Sequence, residues 1–125
     1  MTENEEHFIF EDLKVYEKAL DFIDFVYVLT RRFPKEETYG LQDQFRRAAI
    51  SICLNIAEGS GGSRQEFCRF IKISIRSLRE CVAIGEIACR QGFLASENRK
   101  KIRKDCAELS RMLSGLIKSL HTKKT

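Results

Sequence analysis

Apolar side chains recur every three or four residues along four stretches of the chain, which is the spacing of one face of an α-helix. The stretches run from about residue 13 to 32, 38 to 58, 64 to 91 and 97 to 120, separated by glycines or by the single proline. Strict apolar–polar alternation, typical of a half-buried strand, is absent from them. Four amphipathic helices joined by short connections predict an all-α fold, an antiparallel up-down-up-down four-helix bundle.

Local signals indicate several helix ends. Pro34 ends the first helix because proline disfavours helical backbone in the preceding residue. Ser63 and Glu66 form a capping box at the start of the third helix, and Gly92 suits its C-terminal end. The glycines in NIAEGSGG, residues 55–62, lack the preceding strand and the lysine of a phosphate-binding loop. They are interpreted as ending the second helix and allowing the turn that follows it.

The first two helices carry apolar residues outside their core stripes. On the second helix, three of them point almost opposite to the core side. A helix that is apolar on two sides is either an inner element of a large protein or packs on another chain. At 125 residues the second option is favoured. We therefore predict a homo-oligomer whose interface includes Phe25, Val28, Ile50, Leu54 and Ala57.

A narrow polar stripe, Arg47, Ser51, Asn55 and Glu58, runs along the second helix. Partly buried polar groups need hydrogen-bond partners. Arg47 has candidate partners in Glu58 and in Glu80 on the third helix. The hypothesis is that this stripe fixes helix register or subunit geometry.

Length and composition bound the protein class. The 125 residues are interpreted as one domain, with an acidic segment at 1–11 and a frayed basic tail at 121–125. No apolar run is long enough to cross a bilayer, and the acidic start is unlike a signal peptide. The five cysteines are odd in number and never form C-x-x-C, so neither disulfides nor zinc are indicated. These features predict a cytoplasmic protein with buried, reduced thiols, no cofactor and no membrane partner.

The sequence contains few residue combinations that could carry out catalysis. The only two histidines lie near the ends of the chain, so the central serines have no evident base. Glu58 offers a single carboxylate, and the Glu-x-x-His pairs of di-metal bundles do not occur within the helices. We therefore predict a protein that is not an enzyme, with no catalytic, cofactor-binding or metal-binding residues.

Charge is distributed unevenly along the chain. Residues 1–62 carry 7 Lys/Arg and 12 Asp/Glu, whereas residues 63–125 carry 15 Lys/Arg and 6 Asp/Glu. Lys/Arg arrays bind phosphate backbones through charge and counterion release. A plain solvated surface is the alternative interpretation. The candidate nucleic-acid-binding residues lie on the outer faces of the third and fourth helices: Arg69, Lys72, Arg76, Arg79, Arg90, Lys100, Lys104, Arg111 and Lys118.

Several motifs resemble one protein family along nearly the whole chain. The central motif is RRAAISICLNIAEG, residues 46–59, and DLKVYEKA, FPKEETYGLQDQFRRA, SRQEFCRF, SLRE and GFL accompany it. Together they resemble the four-helix bundle proteins encoded in 23S rRNA intervening sequences. The chain departs from that family at Arg76, where a small residue usually precedes Ser-Leu-x-Glu. On the helical interpretation Arg76 faces outward and enlarges the basic face.

This resemblance implies a bacterial, non-enzymatic bundle that assembles into a ring-like homopentamer. It also implies a relation to the accessory variability determinants of diversity-generating retroelements, which are basic pentamers that bind nucleic acid and a reverse transcriptase. Two functions follow as expectations: binding of RNA or other nucleic acid through the basic faces, or a protein-interaction adaptor, for example for a reverse transcriptase. Salt-dependent RNA binding distinguishes them.

Overall fold

Four α-helices make up most of residues 5–122, the part of the chain that the computed structural model describes. Helix α1 spans Lys14–Thr30, α2 spans Leu41–Gly59, α3 spans Arg64–Arg90 and α4 spans Ser96–Thr122. Short 3-10 turns occur at Ile9–Asp12 and Lys35–Glu37, and no strand occurs among the described residues. The predicted all-α class is confirmed. None of these helices combines the length and apolar character needed to cross a bilayer.

Both chain ends extend beyond the described part. Residues 1–4 of the acidic segment and residues 123–125 of the basic tail lie outside it. Within it, residues 121 and 122 continue α4, so the helix extends about two residues further than the pattern predicts. The acidic segment overlaps the first 3-10 turn, Ile9–Asp12, which leads into α1 at residue 14.

Contacts between helices show that helices packed side by side run antiparallel. Lys18, near the start of α1, lies 3.3 Å from Glu108 near the middle of α4. At the other end of α1, the Lys101 ammonium lies 4.6 Å from the centroid of the Phe25 ring. Helices α2 and α3 run antiparallel in the same way, and α2 also packs on α1 and α3 on α4. The up-down-up-down bundle is confirmed.

The inward faces form a single hydrophobic cluster. The predicted stripes of α1, α2 and α4 supply most of it, with Phe45, Ile52 and Leu113 fully buried. The apolar spacing of α3 predicts an inner face that includes Phe67, Phe70 and Val82, but these side chains are only half-buried. Cys68, Ile84 and Ala88 are buried instead, because α3 packs against both α2 and α4 and buries a wider arc than one stripe.

Gly59 ends α2 as predicted, and it has a second role in helix packing. It is the last residue of α2, it is buried, and Gly92 is the only residue with positive φ among those described. A methyl group at Gly59 would lie 2.6 Å from Cβ of Phe70 and 3.1 Å from Cδ1 of Phe67. Gly59 therefore allows the close approach of α2 and α3, and it does not act as a left-handed helix cap.

The capping signals of α3 are confirmed at both ends. The Ser63 hydroxyl accepts the Glu66 N–H at 3.1 Å, and the Glu66 carboxylate accepts the Ser63 N–H at 3.2 Å. At the C-terminal end Gly92 has φ +80, and the Phe93 N–H bonds the Ala88 carbonyl at 2.9 Å. The start of α2 differs from the predicted one. It begins three residues later than predicted because Gly40 is not helical and the Glu37 side chain bonds the Leu41 N–H at 3.0 Å.

Candidate functional site

Four cationic side chains form a line on the outer side of α3. Arg69, Lys72, Arg76 and Arg79 are all exposed, and their spacing of three and four residues places them on successive turns of one face. Arg90 is exposed in the last turn of the same helix. The exposure of Arg76 means that this departure from the family pattern adds a charge and does not disturb close packing.

A second line runs along α4 on the side opposite its buried residues. Lys100, Lys104, Arg111 and Lys118 are exposed, whereas Ile102, Cys106, Leu109 and Leu113 on the other side contribute to the core. The burial of this inner stripe places the four cations on the outer surface of the bundle. The nine predicted cations therefore lie on two neighbouring helices, outside the core.

These cations have few opposite charges near them. Within residues 5–122, none of the nine nitrogen-bearing side chains has a carboxylate oxygen within 4.0 Å. Other cations do have such partners: Arg99 pairs with Glu86 at 3.4 Å and Lys101 pairs with Asp105 at 2.8 Å. The ion pairs of α4 thus lie at its sides, and its outer line keeps an uncompensated positive charge.

Two grooves between α3 and α4 connect the basic lines. The first has a volume of about 310 Å³, an apolar floor that includes Ile75 and Val82, and Arg79 and Arg103 at its rims. The second, about 670 Å³, lies near the start of α3 and the end of α4 and includes Arg69, Lys72 and His121. Arg103 was not among the predicted residues, because it lies to one side of the outer line of α4. The sequence feature that could have identified Arg103 is its positive charge one helical turn from Lys100.

An exposed apolar face occupies the side of the bundle formed by α1 and α2. Leu54 is 60% exposed and Val28 is 44% exposed. Ile50 lines a groove of about 430 Å³ with Val28 and Tyr27, and Ala57 is half-buried further along α2. The structure therefore brings α1 and α2 residues of the predicted interface together on one surface.

Phe25 does not belong to that apolar face. It lies on the side of α1 that packs against α4, beneath the Lys101 ammonium. Its ring is half-buried and packs against the core cluster. The prediction grouped Phe25 with Val28 because both interrupt polar positions. In the structure Phe25 contacts Lys101 of α4, whereas Val28 lines a groove with Ile50 of α2, so the two side chains have different neighbours.

The polar stripe of α2 divides into two parts. The Ser77 hydroxyl of α3 bonds the Ser51 hydroxyl at 3.0 Å, and the Asn55 amide donates to the Ser51 carbonyl and hydroxyl at 2.8 and 3.0 Å. Arg47 and Glu58 are exposed instead. They cannot pair within one chain, since eleven residues of helix separate them by about 16 Å. The partner of Arg47 is Asp43 at 3.9 Å.

Groups with catalytic or metal-binding chemistry are dispersed. Within the described part of the chain, no three His, Cys, Asp or Glu side chains converge as a metal site would require. All five cysteines are free thiols, and four are buried. Burial raises the pKa of Cys53 and of Cys106 to about 12 and raises the pKa of Cys81 as well. Because the thiolate is the reactive form, these thiols are inert in the folded state.

Similarity to known proteins agrees with this geometry. Residues 11–115 match the profile of the 23S rRNA-intervening sequence proteins, a span that includes α1, α2, α3 and most of α4. The chain belongs to this family. The resemblance noted in its motifs is thereby confirmed. No curated protein matches the chain.

A solved structure supports the same assignment. It is a crystal structure of a protein of unknown function from the S23 ribosomal protein family of Bacteroides thetaiotaomicron. Its TM-score to this 23S rRNA-intervening sequence protein is 0.76 at 25% sequence identity, and the match covers 83% of this chain and 95% of that one. The shared architecture therefore includes nearly the whole of the neighbour, and neither comparison names an enzymatic activity.

Proposed function

We propose that this protein is a non-enzymatic homo-oligomer that binds RNA through the basic outer faces of α3 and α4. The observation that carries the proposal is the set of nine exposed cations on those helices, none with a carboxylate within 4.0 Å among the described residues. Unpaired cations can exchange their counterions for phosphates, and the released ions supply the free energy of binding. No base-reading geometry is needed, so binding is independent of sequence.

Self-association is supported by the apolar face of α1 and α2. Exposed Leu54 and Val28, together with Ile50, present a contiguous apolar surface of the kind that a second chain covers. A ring of identical subunits repeats the basic face and increases its avidity for a long polyanion. We expect a pentamer, with a mass near 73 kDa from five 14.5 kDa chains, in native mass spectrometry.

The test measures RNA affinity as a function of salt. A fluorescein-labelled RNA hairpin is titrated with the full chain at 50 and 200 mM KCl, and fluorescence anisotropy gives Kd. With about four phosphates neutralised per site, affinity falls by roughly 10²-fold over this range. The variant with Arg69, Lys72, Arg76 and Arg79 all changed to Ser loses most of the binding and most of the salt dependence.

A variant of equal net charge is the control. Changing Lys14, Arg32, Lys35 and Arg47 to Ser removes the same four charges from exposed positions outside α3 and α4. We expect this control to retain its affinity within about threefold, since surface charges beyond a Debye length are screened. Equal losses in the two variants, or no binding at 50 mM KCl, would contradict the proposal and favour a protein-interaction adaptor, such as a subunit for a reverse transcriptase.

A further inference from the structure

The acidic N-terminal segment has an ordered, apolar tip. Around the 3-10 turn Ile9–Asp12, the Phe8 N–H donates to the Glu11 carboxylate at 2.8 Å, and the His7 imidazole lies 3.1 Å from Asp12. The hydrogen bond and the charge of Asp12 raise the pKa of His7 above its ordinary value. Yet Ile9 is 77% exposed and Phe8 is 58% exposed. Two large apolar side chains are thus exposed to solvent on a turn that is already formed.

The groove between α3 and α4 has the opposite charge and the same apolar character. Ile75, Leu78 and Val82 contribute apolar walls, and Arg79 and Arg103 stand at the rims. Its volume of about 310 Å³ is sufficient for one or two large apolar side chains. The groove therefore matches the segment in two ways: its floor can cover Phe8 and Ile9, and its arginines can face the nearby carboxylates.

A chain cannot bring its own segment to its own groove. The Phe10 ring packs on Tyr16 with centroids 5.0 Å apart, and the Tyr16 carbonyl lies 4.0 Å from the Cys53 sulfur of α2. These contacts hold the segment on the side of the bundle formed by α1 and α2. Because α1 contacts α2 and α4, and α3 likewise contacts α2 and α4, the groove lies on the opposite side.

We propose that the Phe8–Ile9 tip of one copy docks into the Arg79–Arg103 groove of a second copy. Glu5, Glu6, Glu11 and Asp12 are exposed and lie within three residues of the tip along the chain, and their carboxylates supply the charge complementary to the groove. The turn is already formed, so little conformational entropy is lost on docking. This inference rests on the self-association proposed above, and a docked tip occupies Arg79 of the basic face, so tip and RNA compete for that residue.

The placement of the two surfaces determines the kind of assembly. Tip and groove lie on opposite sides of the bundle, so each copy uses one surface as donor and the other as acceptor. Such a heterologous contact does not stop at two copies, and it produces a closed ring when the rotation between neighbours divides a full turn. A dimer in which both copies use the same surface is not formed by this contact.

The experiment places a photoreactive benzoylphenylalanine at position 9 of the full chain. Equal amounts of this protein and of an isotope-labelled chain without the reactive group are mixed, irradiated and analysed by mass spectrometry. We expect cross-links from residue 9 of the unlabelled photoreactive chain to peptides of the isotope-labelled chain that include residues 75–82 or 103–110. Arg103→Glu reduces their yield by about tenfold through charge reversal, whereas Arg111→Glu, an exposed arginine of α4 outside the groove, does not. Glu6→Arg combined with Arg103→Glu restores the yield.

Each outcome decides the inference. Cross-links only within one chain, or between copies but outside the groove, overturn it while self-association stands. An equal loss with Arg103→Glu and Arg111→Glu also overturns it, because a specific groove contact predicts a difference. If native mass spectrometry of the unmodified chain shows a monomer at micromolar concentration, self-association and this inference fail together, and the RNA measurement remains a separate test.

Discussion

At the scale of single residues, Gly59 shows how one missing side chain sets the spacing of two helices. It ends α2 where the Phe67 and Phe70 side chains of α3 press against its backbone. Gly115 is the opposite case, because a methyl group added there meets nothing within 4 Å and the residue is exposed on α4. Gly59 is therefore required for packing, whereas Gly115 only carries the general cost of glycine in a helix.

We expect opposite effects from the same substitution at these two positions. Gly59→Ala forces the new methyl group against Cβ of Phe70 and destabilises the protein by about 1–3 kcal/mol, the usual cost of overpacking. Gly115→Ala stabilises it by about 0.5–1 kcal/mol through reduced chain entropy and helix propensity. Urea unfolding followed by circular dichroism measures both. A neutral or stabilising Gly59→Ala would mean that α3 moves away from α2 at little cost.

At the scale of helices, α2 and α3 are joined by polar groups as well as by the core. The buried Ser74 hydroxyl of α3 donates to the Ile52 carbonyl at 2.9 Å, and one turn away the Ser77 hydroxyl meets the Ser51 hydroxyl at 3.0 Å. Hydrogen bonds are directional, so these contacts specify one register among the several that apolar packing allows. This is the part of the polar stripe that can fix helix register.

A double-mutant cycle tests the register contact. Ser51→Ala and Ser77→Ala each remove one hydroxyl, and each costs about 0.5–1.5 kcal/mol of unfolding free energy. Because the two hydroxyls bond each other, the double variant loses less than the sum, with a coupling of at least about 0.5 kcal/mol. Arg47→Ala, on the exposed part of the same stripe, changes stability by less than about 0.5 kcal/mol. Additive losses at the two serines would exclude a direct contribution of their contact.

Helix positions were largely predictable from the sequence, whereas the width of each buried face was not. Periodicity and caps located all four helices because both signals are local. The burial of Cys68 and Ile84, and the position of Phe25 against α4, depend on which neighbours each helix acquires. That choice follows from three-dimensional packing, and a single stripe drawn on a helix does not contain it.

At the scale of the whole molecule, the acidic and basic halves of the described sequence form different sides of the bundle. The acidic first half includes α1 and α2 with the apolar face, and the basic second half includes α3 and α4. The sequence revealed this division through charge alone. The groove that combines Arg79 and Arg103 required the structure, because its residues come from two helices that meet only after folding.

Alkaline pH should destabilise the whole bundle through its buried thiols. Cys53 and Cys106 have pKa values of about 12 in the folded protein against 9.0 for an ordinary thiol. Between these values the unfolded chain ionises and the folded one does not, so stability falls as pH rises by about 1.4 kcal/mol per unit for each thiol. Below pH 9 these thiols leave stability unchanged.

The measurement compares urea unfolding of the wild type and of Cys106→Ala between pH 8 and 11. The variant has a lower baseline stability because it loses a buried side chain, but its slope above pH 9.5 is shallower by about 1.4 kcal/mol per pH unit. The two proteins differ only at residue 106, so the difference between their slopes isolates the contribution of this thiol. Parallel slopes would show that the Cys106 thiol ionises as readily in the folded protein as in the unfolded chain.

The same buried thiols can also report how often each part of the bundle opens under native conditions. Cys53 lies on α2, Cys81 on α3 and Cys106 on α4, so each of three helices carries a group that a disulfide reagent reaches only when that region opens. The labelling rate at each site therefore reports the opening free energy of its own helix under native conditions. Whether the helices open together or separately can be determined without adding a probe to the chain.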